Sequence, residues 1–91
     1  MNLQRLINAG YGNCVNSEKV ISVVGIDAAP IKRMVQNAKD KGMAIDMTQG
    51  RKTKSVIIMD GGYVVLSALV PETFVTRFND TSFTRKGEED E

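Results

Sequence analysis

Apolar positions recur along this chain with two periods, one typical of a helix and one typical of strands. Between residues 27 and 42 they follow the i, i+3, i+4, i+7 spacing, which places four side chains on one face: Ile31, Met34, Val35 and Ala38. Asp27 is positioned to cap this helix, with Pro30 in its first turn and Gly42 at its end. We therefore predict one long helix whose apolar face packs on the core.

Five shorter segments have the composition or the alternation of β-strands. They are residues 3–8, 20–24, 43–48, 55–59 and 63–69. Asp60-Gly61-Gly62 separates the last two segments, and this sequence is typical of a tight hairpin turn.

A second, shorter helix is predicted at residues 71–78, where Pro71 favours initiation and Phe74, Val75 and Phe78 share an inward face. The element order is then β-β-α-β-β-β-α, which favours a mainly antiparallel sheet with the long helix on one face. We predict an α+β fold that forms a small single domain over residues 1–78. A flexible acidic tail is expected at residues 79–91.

The composition indicates a small domain with an aliphatic core. The chain has 91 residues, no tryptophan and only five Phe and Tyr side chains, so self-association is expected to complete its thin core. A lone cysteine excludes an internal disulfide and fits a reducing compartment. Because the sequence also lacks a long apolar run and a signal-peptide pattern at its start, we expect a cytoplasmic protein with no membrane partner.

The net charge of +1 hides an uneven distribution of charge. Four of the eleven acidic residues are the last four of the chain, and the remainder has a balance of +5. Seven cations fall between Lys32 and Lys54, against two acidic residues, Asp40 and Asp46. This middle third is therefore the expected contact region for a polyanion, although an ordinary solvated surface would have the same composition.

Residues for catalysis are scarce. The chain has no histidine, so Cys14 lacks the usual partner of a nucleophile and no typical zinc site can be assembled. The Gly10-x-Gly12 segment lacks the remaining features of a nucleotide-binding loop. We therefore expect no enzyme, no catalytic or metal-binding residues, no cofactor and no small-molecule substrate.

The segment Gly50-Arg51-Lys52-Thr53-Lys54 places three cations between two predicted strands. Strand alternation would direct Lys52 and Lys54 to one side and Arg51 to the other. Lys32 and Arg33 on the helix would widen this positive surface if they fold nearby. Because few aromatic residues are available for stacking on single strands or RNA, duplex DNA is the favoured polyanion.

Several segments in order resemble one known family. They are "LINAGYGN", "APIKRMVQNAKDKGMAID", "GRKT" and "SVIIMDGGYVVLSALVPETF", and together they span most of residues 3–77. These segments resemble the RemA family of extracellular matrix regulatory proteins. The resemblance implies a cytoplasmic, non-enzymatic, DNA-binding transcription regulator of biofilm-matrix genes that assembles into ring-shaped homo-oligomers.

The resemblance also implies where DNA is contacted. In that family, a pair of arginines directly after a glycine contacts DNA, and the matching residues here are Arg51 and Lys52. Another basic residue that contacts DNA in the family matches Lys19. Lysine at two of these positions retains the charge but not the bidentate fork of arginine. Lys54, Lys32 and Arg33 are added as candidates from charge placement alone. An RNA-binding ring and a structural adaptor that recruits proteins are the alternative functions.

Overall fold

Six strands and two α-helices form over residues 6–79, the part of the chain that this computed structural model describes. In chain order they are β1 (Leu6–Gly10), β2 (Asn13–Asn16), β3 (Val20–Gly25), α1 (Ala29–Asp40), β4 (Ala44–Asp46), β5 (Ser55–Met59), β6 (Val64–Ser67) and α2 (Pro71–Asn79). A short 3₁₀ turn at Ser17–Lys19 joins β2 to β3.

The strands form a four-stranded sheet and a separate two-stranded hairpin. The sheet order is β3-β5-β6-β4, in which β3–β5 and β5–β6 are antiparallel and β4–β6 is parallel. Strands β1 and β2 pair antiparallel with each other. The predicted α+β fold with a mainly antiparallel sheet is therefore confirmed.

The parallel pair determines the path of the segment between β4 and β5. Because β4 lies on one side of β6 and β5 on the other, residues 47–54 must cross the C-terminal end of β6. The Met47 amide donates to the Leu66 carbonyl, and the Lys54 amide donates to the Ser67 carbonyl, each at 2.8 Å. The cationic segment is thus held at both ends by one strand end.

Alternation along β5 and β6 divides the core into two layers. On one face of the sheet, Val56, Val64 and Leu66 pack against α1. On the other face, Ile57 and Val65 pack against the β1–β2 hairpin and Phe74 of α2. The central strands are therefore covered on both faces, as their nearly continuous apolar sequences require.

Helix α1 confirms its predicted face and end but not its predicted cap. Val35 and Ala38 are buried in the layer against the sheet, and Gly42 follows the helix with φ +73°. The expectation that Asp27 caps the helix is wrong, because Ala28 is the N-cap residue and its carbonyl accepts from the Ile31 and Lys32 amides. The helix begins one residue too late for the Asp27 side chain to cap it.

Helix α2 confirms two of its three predicted inward residues. Phe74 is completely buried and Phe78 packs partly against the same layer, whereas Val75 is 56% exposed. The prediction for Val75 is wrong because Phe74 and Phe78 lie one turn apart on the covered stripe, and Val75 lies about 100° away from it. The tail predicted at 79–91 lies outside the described residues, except for Asn79, which ends α2.

The sequence prediction missed strand β2. Two of its four residues are asparagine and only Val15 is buried, so neither apolar composition nor length distinguishes it from a loop. Residues 13–16 form a strand because they pair with β1, a contact that their own sequence does not indicate. The first three residues of the strand predicted at 3–8 lie outside the described part of the chain.

Candidate nucleic-acid interface

A tight turn at residues 48–51 places Arg51 at the end of the sheet. The Arg51 amide donates to the Thr48 carbonyl at 3.1 Å. Gln49 and Gly50, the two central residues, have φ values of +55° and +81°. Positive φ at both central positions is the requirement of a type I′ turn, and it costs Gly50 little but Gln49 some strain.

The start of this turn is fixed by Asp46 and Thr48. One Asp46 carboxylate oxygen, Oδ1, accepts from the Thr48 amide at 2.8 Å and from the Thr48 hydroxyl at 2.6 Å. The bond from the hydroxyl, with that from the amide and the nearby charge of Lys39, lowers the pKa of Asp46 below its ordinary value. Thr48 itself is buried, so the backbone entering the turn has a defined position.

A second turn of the same kind forms the tip of the β1–β2 hairpin. Gly10 pairs with Asn13, and the central residues Tyr11 and Gly12 have φ values of +55° and +84°. The Asn13 side-chain amide donates to the Gly10 carbonyl at 3.1 Å, and the Asn8 side chain accepts from the Gly10 amide at 2.6 Å. These two hydrogen bonds fix the backbone of the hairpin tip at Gly10.

Buried polar contacts fix the hairpin onto the sheet. The hydroxyl of Ser67, a fully buried residue, donates to the Ala9 carbonyl at 2.9 Å and accepts from the Leu69 amide at 3.1 Å. The Arg77 guanidinium of α2 donates to the Asn8 carbonyl at 2.7 Å. The hairpin tip is therefore held in a defined position beside the end of β6.

The two turns meet through their side chains. The Arg51 guanidinium carbon lies 4.0 Å from the centroid of the Tyr11 ring, which is the geometry of a cation–π contact. One Arg51 nitrogen also lies 3.4 Å from the Gln49 carbonyl oxygen, to which it donates. Both side chains remain largely exposed, so this pair faces solvent.

Sequence reasoning missed Tyr11 and drew a wrong conclusion about aromatic residues. The sequence predicts that the basic cluster lacks exposed aromatic rings, but Tyr11 beside Arg51 is 48% exposed, and Tyr63 is 44% exposed. The signal that could have identified Tyr11 is the sequence Gly-Tyr-Gly. Turn positions with positive φ usually hold glycine, asparagine or aspartate, so a tyrosine between two glycines is unusual there.

The other two cations of the segment follow Arg51 along the chain. Lys52 and Lys54 are exposed, whereas Thr53 between them is half-buried. Both lysines therefore face solvent, although they precede β5, which begins at Ser55. Arg51, Lys52 and Lys54, which we call the turn cations, lie on a short stretch with a defined backbone.

The two helix candidates, Lys32 and Arg33, lie in different surroundings. Lys32 lines a groove with Thr53, and Lys39 lines the same groove. Arg33 lines a separate groove together with Lys41 and Tyr63. The structure thus places Lys32 and Lys39 in a groove with Thr53 of the cationic segment, whereas Arg33 lines a different groove.

Lys19 lies at the opposite end of the sheet from the turn cations. Its carbonyl accepts from the Asp60 amide at 2.7 Å, and the next residue, Val20, pairs with Met59 at the far end of β5. Lys19 therefore lies opposite Asp60, six residues along the chain from Lys54, and about 20 Å at 3.3 Å per residue separates the two positions. Within one subunit Lys19 does not join the turn cations.

Residues 6–79 contain neither a candidate membrane-spanning helix nor a candidate metal site. Neither helix in this range has the length and apolar composition needed to cross a membrane. Within the same residues, no three His, Cys, Asp or Glu side chains come close enough together to hold a metal ion.

Comparison with known proteins identifies relatives along most of the chain. The family model for RemA-like proteins, described as extracellular matrix regulatory protein A-like, matches residues 6–78. A protein of Lachnoclostridium phytofermentans, named only as a regulatory protein, is 57% identical over 77 residues, 85% of each chain. The extracellular matrix regulatory protein A of Bacillus subtilis is 48% identical over 75 residues, which covers 82% of this chain and 84% of that one.

Proposed function

The chain belongs to the RemA-like family, and on that premise we propose that it is a DNA-binding transcription regulator of extracellular-matrix genes. Relatives that carry regulatory names, one of them extracellular matrix regulatory protein A, support the regulatory part of this proposal. The protein acts in the cytoplasm, without a cofactor and without catalysing a reaction.

The observation that carries the DNA-binding proposal is the position of Arg51. It lies on a turn with defined backbone geometry, its guanidinium rests on an exposed tyrosine ring, and two exposed lysines follow it. A guanidinium in this position can donate two parallel hydrogen bonds to a phosphate or to the edge of a guanine. Lys52 and Lys54 add charge for neighbouring phosphates.

The electrostatic part of binding follows from counterion release. Each phosphate neutralised by a lysine or arginine releases condensed cations, so affinity falls steeply as salt rises. Three turn cations, with Lys32 and Lys39 in the groove that contains Thr53, provide only a few such contacts from one subunit. Repetition of this patch around a ring-shaped homo-oligomer multiplies the contacts without requiring a new binding site.

A ring also gives Lys19 a role that a single subunit does not. The resemblance assigns Lys19 to DNA contact, but this residue lies at the opposite end of the sheet from the turn cations. A head-to-tail ring joins two different surfaces of neighbouring subunits, so distant parts of the fold are brought together at each contact. We propose that Lys19 of one subunit and the turn cations of the next contact the same stretch of DNA.

The experiment that tests DNA binding is the double variant Arg51→Ala with Lys52→Ala. We expect it to remain folded and oligomeric and to bind a matrix-gene promoter duplex at least about 100-fold more weakly than the wild type, since two phosphate or base contacts are lost in every bound subunit. Affinity is measured by fluorescence anisotropy at several salt concentrations, and light scattering checks the oligomeric state.

A charge-matched control is available on the other groove. Arg33→Ala with Lys41→Ala removes the same two charges from residues that lie in a different groove from Thr53. We expect this variant to bind within about threefold of the wild type, because its charges act only at long range. Equal losses in the two double variants would show that net charge carries binding and would contradict the proposal.

RNA binding is the second candidate function, and the exposed Tyr11 ring favours it. Bases of a single strand stack on such rings, which the sequence had not led us to expect on this surface. Competition distinguishes the two functions, because single-stranded RNA that displaces promoter duplex at equal concentration would favour the RNA function. A wild-type protein that binds neither nucleic acid would favour the structural adaptor instead.

A further inference from the structure

We propose that Tyr11 is a positioning residue that orients the Arg51 guanidinium for nucleic acid. This inference rests on the proposed DNA-binding function and names a residue that the sequence analysis did not include. It starts from the 4.0 Å contact between the ring and the guanidinium carbon.

The backbone at Tyr11 shows that the hairpin tip is not optimised for stability alone. Tyr11 has φ +55°, a conformation that is uncommon for large residues and is better suited to asparagine or glycine. The side chain is also 48% exposed, so core packing does not account for its presence at this position. A strained, exposed aromatic residue is therefore expected to be present for an interaction that its side chain makes. In this structure the Tyr11 ring contacts the Arg51 guanidinium.

Both members of the pair are attached to parts of the backbone that have little freedom. Tyr11 lies on the turn closed by Asn13 and fixed through Ala9 to buried Ser67. Arg51 ends the turn that starts at buried Thr48. Because the two backbones are fixed relative to each other, the ring limits where the flexible arginine side chain can point.

The contact leaves the donors of Arg51 available. A guanidinium carbon 4.0 Å from a ring centroid is close enough for the guanidinium to stack on the ring. In a stacked arrangement one face of the guanidinium is covered, and its N–H groups lie in its plane and point outward. One nitrogen donates weakly to the Gln49 carbonyl at 3.4 Å. The remaining N–H donors are available for a ligand. Because the ring already restricts the Arg51 side chain in the free protein, less conformational entropy is lost when it binds a phosphate or guanine in a bidentate manner.

Four variants separate positioning from support of the turn. Tyr11→Phe keeps the ring, and we expect promoter-duplex affinity within about twofold of the wild type. Tyr11→Leu keeps the bulk of the side chain without the ring, and Tyr11→Asn gives the Asn-Gly sequence that type I′ turns prefer. We expect each variant to bind the duplex about fivefold more weakly than the wild type, because each loses a partly exposed cation–π contact. Tyr63→Leu changes the other exposed tyrosine and is expected to leave affinity unchanged.

Two further readouts distinguish positioning from other roles. Tyr11→Asn is expected to raise the melting temperature while it weakens binding, a combination that a purely structural role excludes. The slope of affinity against salt should remain that of the wild type, because no charge is removed. In an Arg51→Ala background, measured at low salt, Tyr11→Leu should have no further effect because the residue it orients is gone.

The inference fails independently of the proposed function. If Tyr11→Asn and Tyr11→Leu bind like the wild type while Arg51→Ala does not, DNA binding stands and positioning by Tyr11 is overturned. An equal loss from Tyr11→Leu in the wild-type and Arg51→Ala backgrounds also overturns it, because Tyr11 would then act without Arg51. If the wild type itself does not bind duplex DNA, the proposed function fails and the inference fails with it.

Discussion

Arg51 and Arg33 belong to the same basic third of the chain, yet the structure surrounds them differently. Arg51 ends a turn whose backbone is fixed at both ends by β6, and its guanidinium rests on Tyr11. Arg33 is an exposed residue near the start of α1, in a groove that it shares with Lys41. Charge in a sequence therefore indicates where a polyanion is attracted, but the backbone and its neighbours decide which cation can be oriented.

The difference originates in the strand order. Because β4 and β5 lie on opposite sides of β6, the segment between them must cross one strand end, where it forms hydrogen bonds with Leu66 and Ser67. The hairpin tip is fixed at the same strand end through Ser67 and Ala9. By contrast, Arg33 lies on the exposed face of α1, and long side chains at exposed helix positions keep most of their rotamer freedom.

The conservative substitutions Arg51→Lys and Arg33→Lys test this comparison directly. We expect Arg51→Lys to weaken duplex binding about tenfold, because lysine keeps the charge but loses the planar fork. Arg33→Lys is expected to change binding less than about twofold, because the proposal assigns no bidentate contact with DNA to Arg33. Anisotropy titrations under identical salt conditions measure both, and equal effects of the two substitutions would remove the distinction between the two arginines.

Much of the fold could be predicted from the sequence because its signals are local. The period of α1 and the composition of β5 and β6 specify those elements and their buried faces without reference to the rest of the chain. The strand β2 could not be predicted, since Val15 is its only buried residue and its order comes from pairing with β1. The Asp27 cap was a local prediction that failed through a one-residue shift of the helix start.

The candidate site was predictable only in part. Its cations were identified from charge and resemblance, because charge is visible in the sequence. The contact between Tyr11 and Arg51 joins residues far apart in the chain through two turns and a strand end, and no local pattern specifies it. The separation of Lys32 from Arg33 into different grooves likewise depends on how α1 lies on the sheet.

The smallest expected effect concerns pH and the start of the Arg51 turn. The hydrogen bonds from Thr48 lower the pKa of Asp46, so its ionised form stabilises the fold above the ordinary carboxyl pKa. This contribution is lost as pH falls through the lowered pKa of the folded state. We therefore expect Asp46→Asn to be slightly less stable than the wild type at about pH 7, with a smaller difference at about pH 2.5.

Denaturant unfolding at the two pH values measures that difference. The matched control is Asp40→Asn, which makes the same change of side chain on the exposed face of α1. We expect the stability gap between Asp46→Asn and the wild type to shrink on acidification by more than the gap for Asp40→Asn. A gap for Asp46→Asn that is the same at both pH values would show that its hydrogen bonds do not favour the ionised carboxylate.

Hydrogen exchange of the wild-type protein with and without promoter duplex tests the central claim most directly. The account predicts that DNA slows exchange of the amides at residues 48–54 and at the hairpin tip, residues 10–13, while the amides near Arg33 and Lys41 exchange as in the free protein. Protection confined to the first turns and the end of α1, with none at residues 48–54, would contradict it.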